Sequence, residues 1–146
     1  MATHRMVVGV DGSIGSAAAV AWCARMAPLL DADVIAVHAI ETSDYTGSAS
    51  SSPIHPFGDD AWREHLRTQL EKVSCAALDA AGIEFRVVLS DAAAAAALLV
   101  VADDVDADMI VVGRRGQGGF EELLLGSAPH QVAHHARRPV VIVPAG

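Results

Sequence analysis

A glycine-rich segment near the C-terminus has the residue types and spacing best suited to binding a ligand. It reads GRRGQGGFEELLLGS over residues 113–127 and holds five of the chain's twelve glycines. Glycine is used where φ is positive or where another group must approach the backbone. Gly113 and Gly116 would let a loop fold tightly over a ligand. Gly126 and Ser127 would open a helix whose free N–H groups suit phosphate oxygens, so the spacing predicts an anion site.

Two common phosphate-binding loops do not fit this sequence. A Walker A loop needs a lysine beside its last glycine, and the only lysine is Lys72, inside a predicted helix. A dinucleotide fingerprint needs GxGxxG, whereas the first turn reads GVDGSIG over residues 9–15, with the carboxylate of Asp11 inside it. Positive charge would come from Arg114 and Arg115 instead. Asp11, which phosphates repel, would accept hydrogen bonds from a base amine or a ribose hydroxyl.

Composition limits the function classes. The 146 residues suit one domain, residues 1–146, and a net charge of −8 argues against a nucleic-acid partner. No apolar run reaches the roughly 20 residues that cross a bilayer, so no membrane partner is expected. The N-terminus runs into a strand pattern without a signal peptide, which predicts a cytoplasmic protein. Cys23 and Cys75 lack CxxC spacing and are predicted to be buried, reduced thiols.

Short aliphatic runs alternate with Ala-rich stretches of helical period. The runs, typical of strands buried on both faces, are Met6–Val10, Val34–Ile40, Phe85–Leu89, Met109–Val112 and Val140–Val143. The helical stretches are Ser16–Leu30, Asp60–Ala81, Ala92–Asp103 and Ser127–Arg137. This alternation predicts an α/β three-layer sandwich with a five-stranded parallel sheet and four helices. If the strand order is 3-2-1-4-5, the loops after the first and fourth strands face each other across one cleft.

Capping residues and one irregular span complete the organisation. The predicted helix N-caps are Ser13 or Ser16, Asp59 or Asp60, and Asp91, and Gly82 is predicted to end the second helix. Glu41–Gly58 is rich in Ser, Thr, Pro and Gly and longer than an ordinary connection. We interpret it as a disordered loop, with a lid as the alternative.

The ordered segments VVGVDGS, VIAVHAI and DADMIVVGRRGQGGFEELLLGSAPHQVAHHARRPVVIVP resemble those of the universal stress protein family. The similarity is to its nucleotide-binding branch, whose motif G-x2-G-x9-G-[ST] is matched in full. The resemblance implies strand order 3-2-1-4-5 and ATP, often with a divalent ion such as Mg²⁺ or Mn²⁺, held between the first and fourth strands. It also implies a homodimer in which two copies of Val140–Val143 pair antiparallel.

The resemblance also assigns roles to individual residues. Asp11 and the backbone of Ala39 would meet the adenine, with Gly9 and Val10 beside it, and Gly113 would lie near the ribose. The residues that would line the phosphates are Gly116, Gly126, Ser127 and Ala128, with Arg114 within the same loop. One departure is Ser90-Asp91-Ala92, where the family often has a Gly-x-Pro turn. It would place an extra carboxylate near the mouth of the cleft.

Other reactive side chains receive less specific interpretations. His130 and His134 have the i, i+4 spacing of a zinc pair, with His135 beside them, but no third ligand is evident. We therefore predict a cationic helix C-terminus and no metal ligands. Glu121 and Glu122 are interpreted as a solvated turn rather than as a base or metal ligands. We predict no catalytic residues.

These observations favour a cytoplasmic homodimer that binds ATP and responds to cellular stress or energy with little turnover. One alternative is an enzyme that hydrolyses ATP slowly or phosphorylates itself, with Ser127 as the nearest hydroxyl. Others are a module that binds AMP or cyclic AMP, and a pure interaction protein that has lost nucleotide binding.

Overall fold

The structure is a computed structural model that describes residues 3–41, 59–116 and 125–145. Strands and helices alternate along these residues. The strands are β1 (His4–Gly9), β2 (Ala32–Ala39), β3 (Phe85–Ser90), β4 (Met109–Gly113) and β5 (Val140–Val143). The α-helices are α1 (Ile14–Leu30), α2 (Asp60–Gln69), α3 (Ala76–Ala80), α4 (Ala94–Asp104) and α5 (Ser127–His135).

All five strands are parallel and lie in the order β3-β2-β1-β4-β5. This confirms the predicted α/β fold, strand order and four crossovers. β1 lies at the centre, with Val8 opposite Ala36 of β2 on one side and Val111 of β4 on the other. The strand order reverses between β1 and β4, so the loops that follow these two strands lie next to each other at the carboxyl ends of the strands.

The sheet is covered on both faces, which explains its uninterrupted aliphatic runs. Alternate side chains of β1, such as Met6 and Val8, belong to the core that includes residues of α1 and α3. Val7, between them, points into the other core, which includes residues of α4 and α5. Within the described residues, none of the helices is long and apolar enough to cross a membrane.

The structure decides between the predicted helix caps. Ser13 is the N-cap of α1, and its hydroxyl accepts the Ser16 N–H at 3.1 Å. Asp59 caps α2 through the Trp62 N–H at 2.7 Å. Gly82 follows α3 at φ +70°, the left-handed conformation expected where a helix ends.

The prediction that Asp91 caps the third helix is wrong. The N-cap of α4 is Ala93, which has no side chain able to cap. Asp91 instead accepts a hydrogen bond from Arg63 Nη2 at 2.6 Å, and the ion pair links α2 to the loop after β3. A charge-assisted contact with a residue distant in sequence has taken the place of a local cap.

The second predicted helix, Asp60–Ala81, is interrupted and is not a continuous α-helix. Residues Leu70–Ser74 form a π-helical turn, in which the Cys75 N–H donates to the Leu70 carbonyl at 2.8 Å. The core-facing residues Leu70, Cys75 and Leu78 are spaced by five and then three positions. A regular α-helix would turn Cys75 away from the core, and the extra residue in the wide turn keeps it inside.

Both cysteines are buried and free, as predicted, and burial raises the pKa of their thiols to about 12 for Cys23 and about 11 for Cys75. Above pH 9, the unfolded chain releases thiol protons that the folded protein still holds. We therefore expect the free energy of unfolding to fall as the pH rises from 9 towards 11.

Urea unfolding between pH 7 and 10.5 measures this effect, with a Cys23→Ala/Cys75→Ala variant as the comparison. The variant should be less stable at pH 7, because it leaves cavities, but it should lose less stability above pH 9. Equal losses in the two proteins would contradict the assignment.

Candidate functional site

The base of the site is a contact between two backbones. A Cβ atom on Gly15, in the first turn of α1, would overlap the carbonyl oxygen of Arg115. One on Gly113, the last residue of β4, would overlap the Gly15 carbonyl oxygen and lie 2.9 Å from its Cα. Only glycine at both positions lets the first turn of α1 rest directly on the chain that leaves β4.

The two ends of the glycine motif meet beside this contact. The Gly126 N–H donates to the Arg114 carbonyl at 2.8 Å, and the Arg114 N–H donates to the carbonyl of Val143 in β5 at 2.9 Å. A Cβ on Gly126 would lie 3.3 Å from the Cα of Arg115. The segment before α5 is therefore fixed to the segment after β4. The intervening residues 117–124, with Glu121 and Glu122, lie outside the described residues.

The N-terminus of α5 offers unused hydrogen-bond donors. Its N-cap, Gly126, is extended at φ −66° and ψ 166° and has no capping side chain. Pro129 has no N–H, and the His130 N–H donates to the Gly126 carbonyl at 3.0 Å. In the described part of the chain, the N–H groups of Ser127 and Ala128 have no acceptor, and Ser127 is exposed. These two N–H groups and the Ser127 hydroxyl can bind an anion.

The positive ends of two helix dipoles approach the same segment. The first turn of α1 touches Arg115 through Gly15, and the start of α5 touches it through Gly126. Arg114 and Arg115 are half-buried between them. Each helix N-terminus is equivalent to about half a positive charge, so these two termini favour a negative group locally although the chain carries a net charge of −8.

Asp11 supplies a carboxylate beside the same glycine segment. Its Oδ1 accepts the Ser13 N–H at 2.9 Å, which fixes the side chain in a local turn. Its Oδ2 would lie 2.6 Å from a Cβ on Gly116, so the carboxylate stands against the glycine loop. A ligand at this edge would meet an acceptor group at Asp11 and donor groups at Ser127.

The other predicted site residues lie at the same sheet edge. Val10 is buried and continues β1, with its N–H donating to the Val37 carbonyl at 2.9 Å. Ala39 is half-buried at the end of β2, opposite Ser90. Gly9 is confined by α4, because a Cβ on Gly9 would lie 3.3 Å from Leu98 Cδ1.

Comparison with known proteins identifies the family of the chain. Residues 2–144 match the universal stress protein family. The chain belongs to that family. A universal stress protein of Mycolicibacterium smegmatis is 31% identical over 142 residues, which are 96% of this chain and 48% of that protein. The chain thus spans about half the length of this relative. Universal stress protein YxiE of Bacillus subtilis is 31% identical over 147 residues, covering 96% of this chain and 98% of that protein.

A solved universal stress protein has a similar structure over its whole length. It is 29% identical, covers 100% of both chains and has a TM-score of 0.64. That protein was crystallised in complex with cyclic AMP.

The departure from the family's turn after β3 does not leave an isolated carboxylate at the cleft. Asp91 is paired with Arg63 at 2.6 Å, so the guanidinium balances the charge that the sequence added there. The predicted extra negative charge at the cleft mouth is therefore offset by a neighbour on α2.

The histidines of α5 do not form a metal site in the part of the chain that the structure describes. No group of three or more His, Cys, Asp or Glu side chains there could hold a metal ion. His134 and His135 lie in the last turn of α5, with ring centroids 4.8 Å apart. The helix ends at His135, earlier than the predicted Arg137, and Arg138 beyond it pairs with Asp103 at 3.0 Å.

Three residues of this edge were missed by the sequence analysis: Gly15, Ser16 and His38. A signal for Gly15 exists only if Ser13 rather than Ser16 is the N-cap, because Gly15 then falls in the first turn of the helix, where glycine is unfavourable without a packing reason. Ser16 was considered only as a cap, and His38 was read as part of an apolar strand.

A cavity of about 760 Å³ lies elsewhere, at the amino ends of β1, β2 and β3. Its lining includes Arg5, Asp33, Glu84, Arg86 and Asp104. Because parallel strands share one direction, this cavity is at the opposite edge of the sheet from the glycine contact. It takes no part in the candidate site.

Substitution of Gly15 tests the backbone contact. We expect Gly15→Ala to lower the free energy of unfolding by about 3 kcal/mol or more, because the new methyl group meets a carbonyl in the fixed backbone. Gly82→Ala is the control, since it has open space but a φ of +70° and should cost about 1–2 kcal/mol.

Chemical unfolding measures the loss in both variants, and amide hydrogen exchange reports the local effect. Only Gly15→Ala should speed exchange of the Gly126 N–H, which depends on the position of Arg114. If Gly15→Ala lost less unfolding free energy than Gly82→Ala and left exchange of the Gly126 N–H unchanged, the contact between Gly15 and Arg115 would not be tight.

Proposed function

We propose that this universal stress protein binds an adenine nucleotide, ATP in the first instance, between the loops after β1 and β4. The observation that carries the proposal is that Gly116 lies beside both the Asp11 carboxylate and Gly126, the residue before the free donors of α5. A nucleotide carries an anion at one end and amine or hydroxyl donors at the other. The similar protein in complex with cyclic AMP supports this ligand class.

In the proposed complex the phosphates lie at the N–H groups of Ser127 and Ala128, near Gly116 and Gly126. Asp11 accepts hydrogen bonds from the adenosine part, beside Val10 and Ala39. Gly113 supports the site through its close backbone contact with Gly15. Arg114 adds positive charge within the same segment.

A divalent ion, Mg²⁺ or Mn²⁺, would reach this site chiefly through phosphate oxygens. Within the described ranges, no set of three acidic, histidine or cysteine side chains is arranged to hold a metal by itself. The ion would reduce repulsion between the phosphates and Asp11.

We propose binding with little turnover, and therefore a regulatory role in the cytoplasm under stress or low energy. Ser127 is the hydroxyl nearest to the proposed phosphates and is exposed. No described side chain is hydrogen-bonded to it in a position to take its proton, which a hydrolytic or self-phosphorylating enzyme would need.

The first experiment identifies the ligand. The purified protein is denatured, and any released nucleotide is analysed by chromatography and mass spectrometry. A thermal-shift series with ATP, AMP and cyclic AMP, with and without Mg²⁺, ranks the candidates. A ligand at 100 times its Kd should add about 2.7 kcal/mol of stability. No shift with any of these nucleotides would contradict the proposal.

Two substitutions at Ser127 separate the hydroxyl from the backbone donor. Ser127→Ala removes the hydroxyl alone, and Ser127→Pro also removes the N–H. Proline suits this position because Ser127 is the first residue of α5 and Gly126 before it is extended. Both variants should therefore keep the stability of the free protein.

We expect calorimetry to show about tenfold weaker ATP binding for Ser127→Ala and a further tenfold loss for Ser127→Pro, at about 1.5 kcal/mol or more per hydrogen bond to a charged group. Adenosine, which has no phosphate, should bind all three proteins equally. ATP affinity unchanged in Ser127→Pro would exclude the start of α5 as the phosphate site.

We also propose a homodimer formed through β5, the edge strand of the sheet. The carbonyls of Pro139 and Val143 accept hydrogen bonds from Ile110 of β4 and from Arg114 directly after it. The alternate residue Ile142 therefore directs its N–H to the open edge. Such an edge favours pairing with a second strand.

Ile142→Pro tests this dimer, with Ile142→Ala as the matched control for the lost side chain. Proline removes the edge donor without removing a bond to β4, so the dimer dissociation constant should rise at least about tenfold above that of Ile142→Ala. Sedimentation velocity at micromolar concentrations measures it. A monomeric wild-type protein would contradict the proposal.

A further inference from the structure

The core contains two buried polar side chains among the residues that the structure describes. They are Ser16, which is 7% exposed, and His38, which is 5% exposed. Ser16 lies in the first turn of α1 and His38 near the end of β2. Burying a polar group is unfavourable unless it forms hydrogen bonds, so their partners indicate why these residues are there.

Both side chains bind the same peptide group. His38 Nδ1 lies 2.7 Å from the carbonyl oxygen of Val10, and the N–H of Asp11 donates to Ser16 Oγ at 3.3 Å. The Val10 carbonyl and the Asp11 N–H are the two polar ends of one planar unit. A carbonyl oxygen only accepts, so Nδ1 of His38 carries a hydrogen and donates it.

Ser16 is itself fixed by the helix cap. Its hydroxyl donates to the Ser13 carbonyl at 3.2 Å while accepting from Asp11, and its N–H donates to the Ser13 hydroxyl at 3.1 Å. His38 is fixed by β2, whose neighbouring residue Val37 accepts the Val10 N–H at 2.9 Å. The plane between Val10 and Asp11 is thus held from the helix on one side and from the sheet on the other.

The orientation of this plane sets the direction in which the Asp11 side chain leaves the backbone. The Asp11 carboxylate stands within close reach of Gly116, where a rotation of the plane would move it into the loop or away from it. Neither Ser16 nor His38 needs to touch a ligand to affect the site.

We infer that His38 and Ser16 are positioning residues that hold the Val10–Asp11 peptide plane and thereby place the Asp11 carboxylate. Their effect on ligand binding rests on the proposed nucleotide site, whereas their effect on the peptide does not. Two experiments address these two consequences separately.

The first experiment uses ligand-free protein. Amide hydrogen exchange of Asp11 and Ser13 is measured in His38→Leu, which loses the donor, and in Ser16→Ala, which loses the acceptor. His38→Asn is the matched variant, because its side-chain amide can donate near the position of Nδ1. Val20→Ala, a buried substitution on α1 that removes no hydrogen bond to this peptide, controls for lost stability.

We expect exchange at Asp11 and Ser13 to be at least about tenfold faster in His38→Leu and Ser16→Ala, as loss of a buried hydrogen bond frees the segment. His38→Asn and Val20→Ala should resemble the wild type at these two amides. Equal acceleration in Val20→Ala, or none in His38→Leu, would overturn the inference whether or not the protein binds a nucleotide.

The second experiment is a double-mutant cycle on ATP affinity, measured by calorimetry. His38→Leu alone should weaken ATP binding about tenfold, and Asp11→Asn alone should weaken it by at least as much. If His38 acts by placing Asp11, the double variant should bind no more weakly than Asp11→Asn alone. Additive losses would overturn the positioning role. Absence of ATP binding in the wild type would instead contradict the proposed function and leave the exchange result to decide the inference.

Discussion

The close approach of Gly15 to Gly113 and Arg115 is the constraint on which the carboxyl edge of the sheet depends. Strand order places β1 beside β4, but side chains at either glycine would separate α1 from the segment after β4. With that contact in place, Arg114 is close enough for Gly126 to donate to its carbonyl. The starts of α1 and α5 then meet at one point, although the first residues of these helices are 113 positions apart in the chain.

Much of the fold could be predicted because its information is local. Aliphatic runs with both alternating faces buried indicate parallel strands, and Ser13 and Asp59 cap helices through groups only three residues away. Asp91 failed as a cap because Arg63, 28 residues earlier, holds its carboxylate. The π turn at Leu70–Ser74 could not be predicted either, since it depends on which face of the helix meets the core.

The candidate site was predictable only in part, for a related reason. The motif spacing identified Gly113, Gly116, Gly126 and Ser127, and the structure brings the segments that carry them together. The motif spacing does not distinguish glycines that leave space for a ligand from glycines that leave space for another segment of backbone. Packing against Gly15 by itself requires glycine at position 113, whereas Ser127 makes no capping hydrogen bond in α5 and is exposed. Ser16 and His38 belong to no sequence motif. They are brought together only in the fold, where α1 and β2 both contact the Val10–Asp11 peptide.

The placement of Asp11 limits what can bind at this edge. A site for free phosphate would gain nothing from a carboxylate near its donors, since like charges repel, and the chain is already acidic. Yet Asp11 is held there by its own turn through Ser13 and by two buried polar side chains. Such an arrangement favours a ligand that carries an anion and hydrogen-bond donors a short distance apart. Nucleotides meet this condition and inorganic phosphate does not, so in the proposed site the carboxylate that disfavours a free anion would favour a nucleotide.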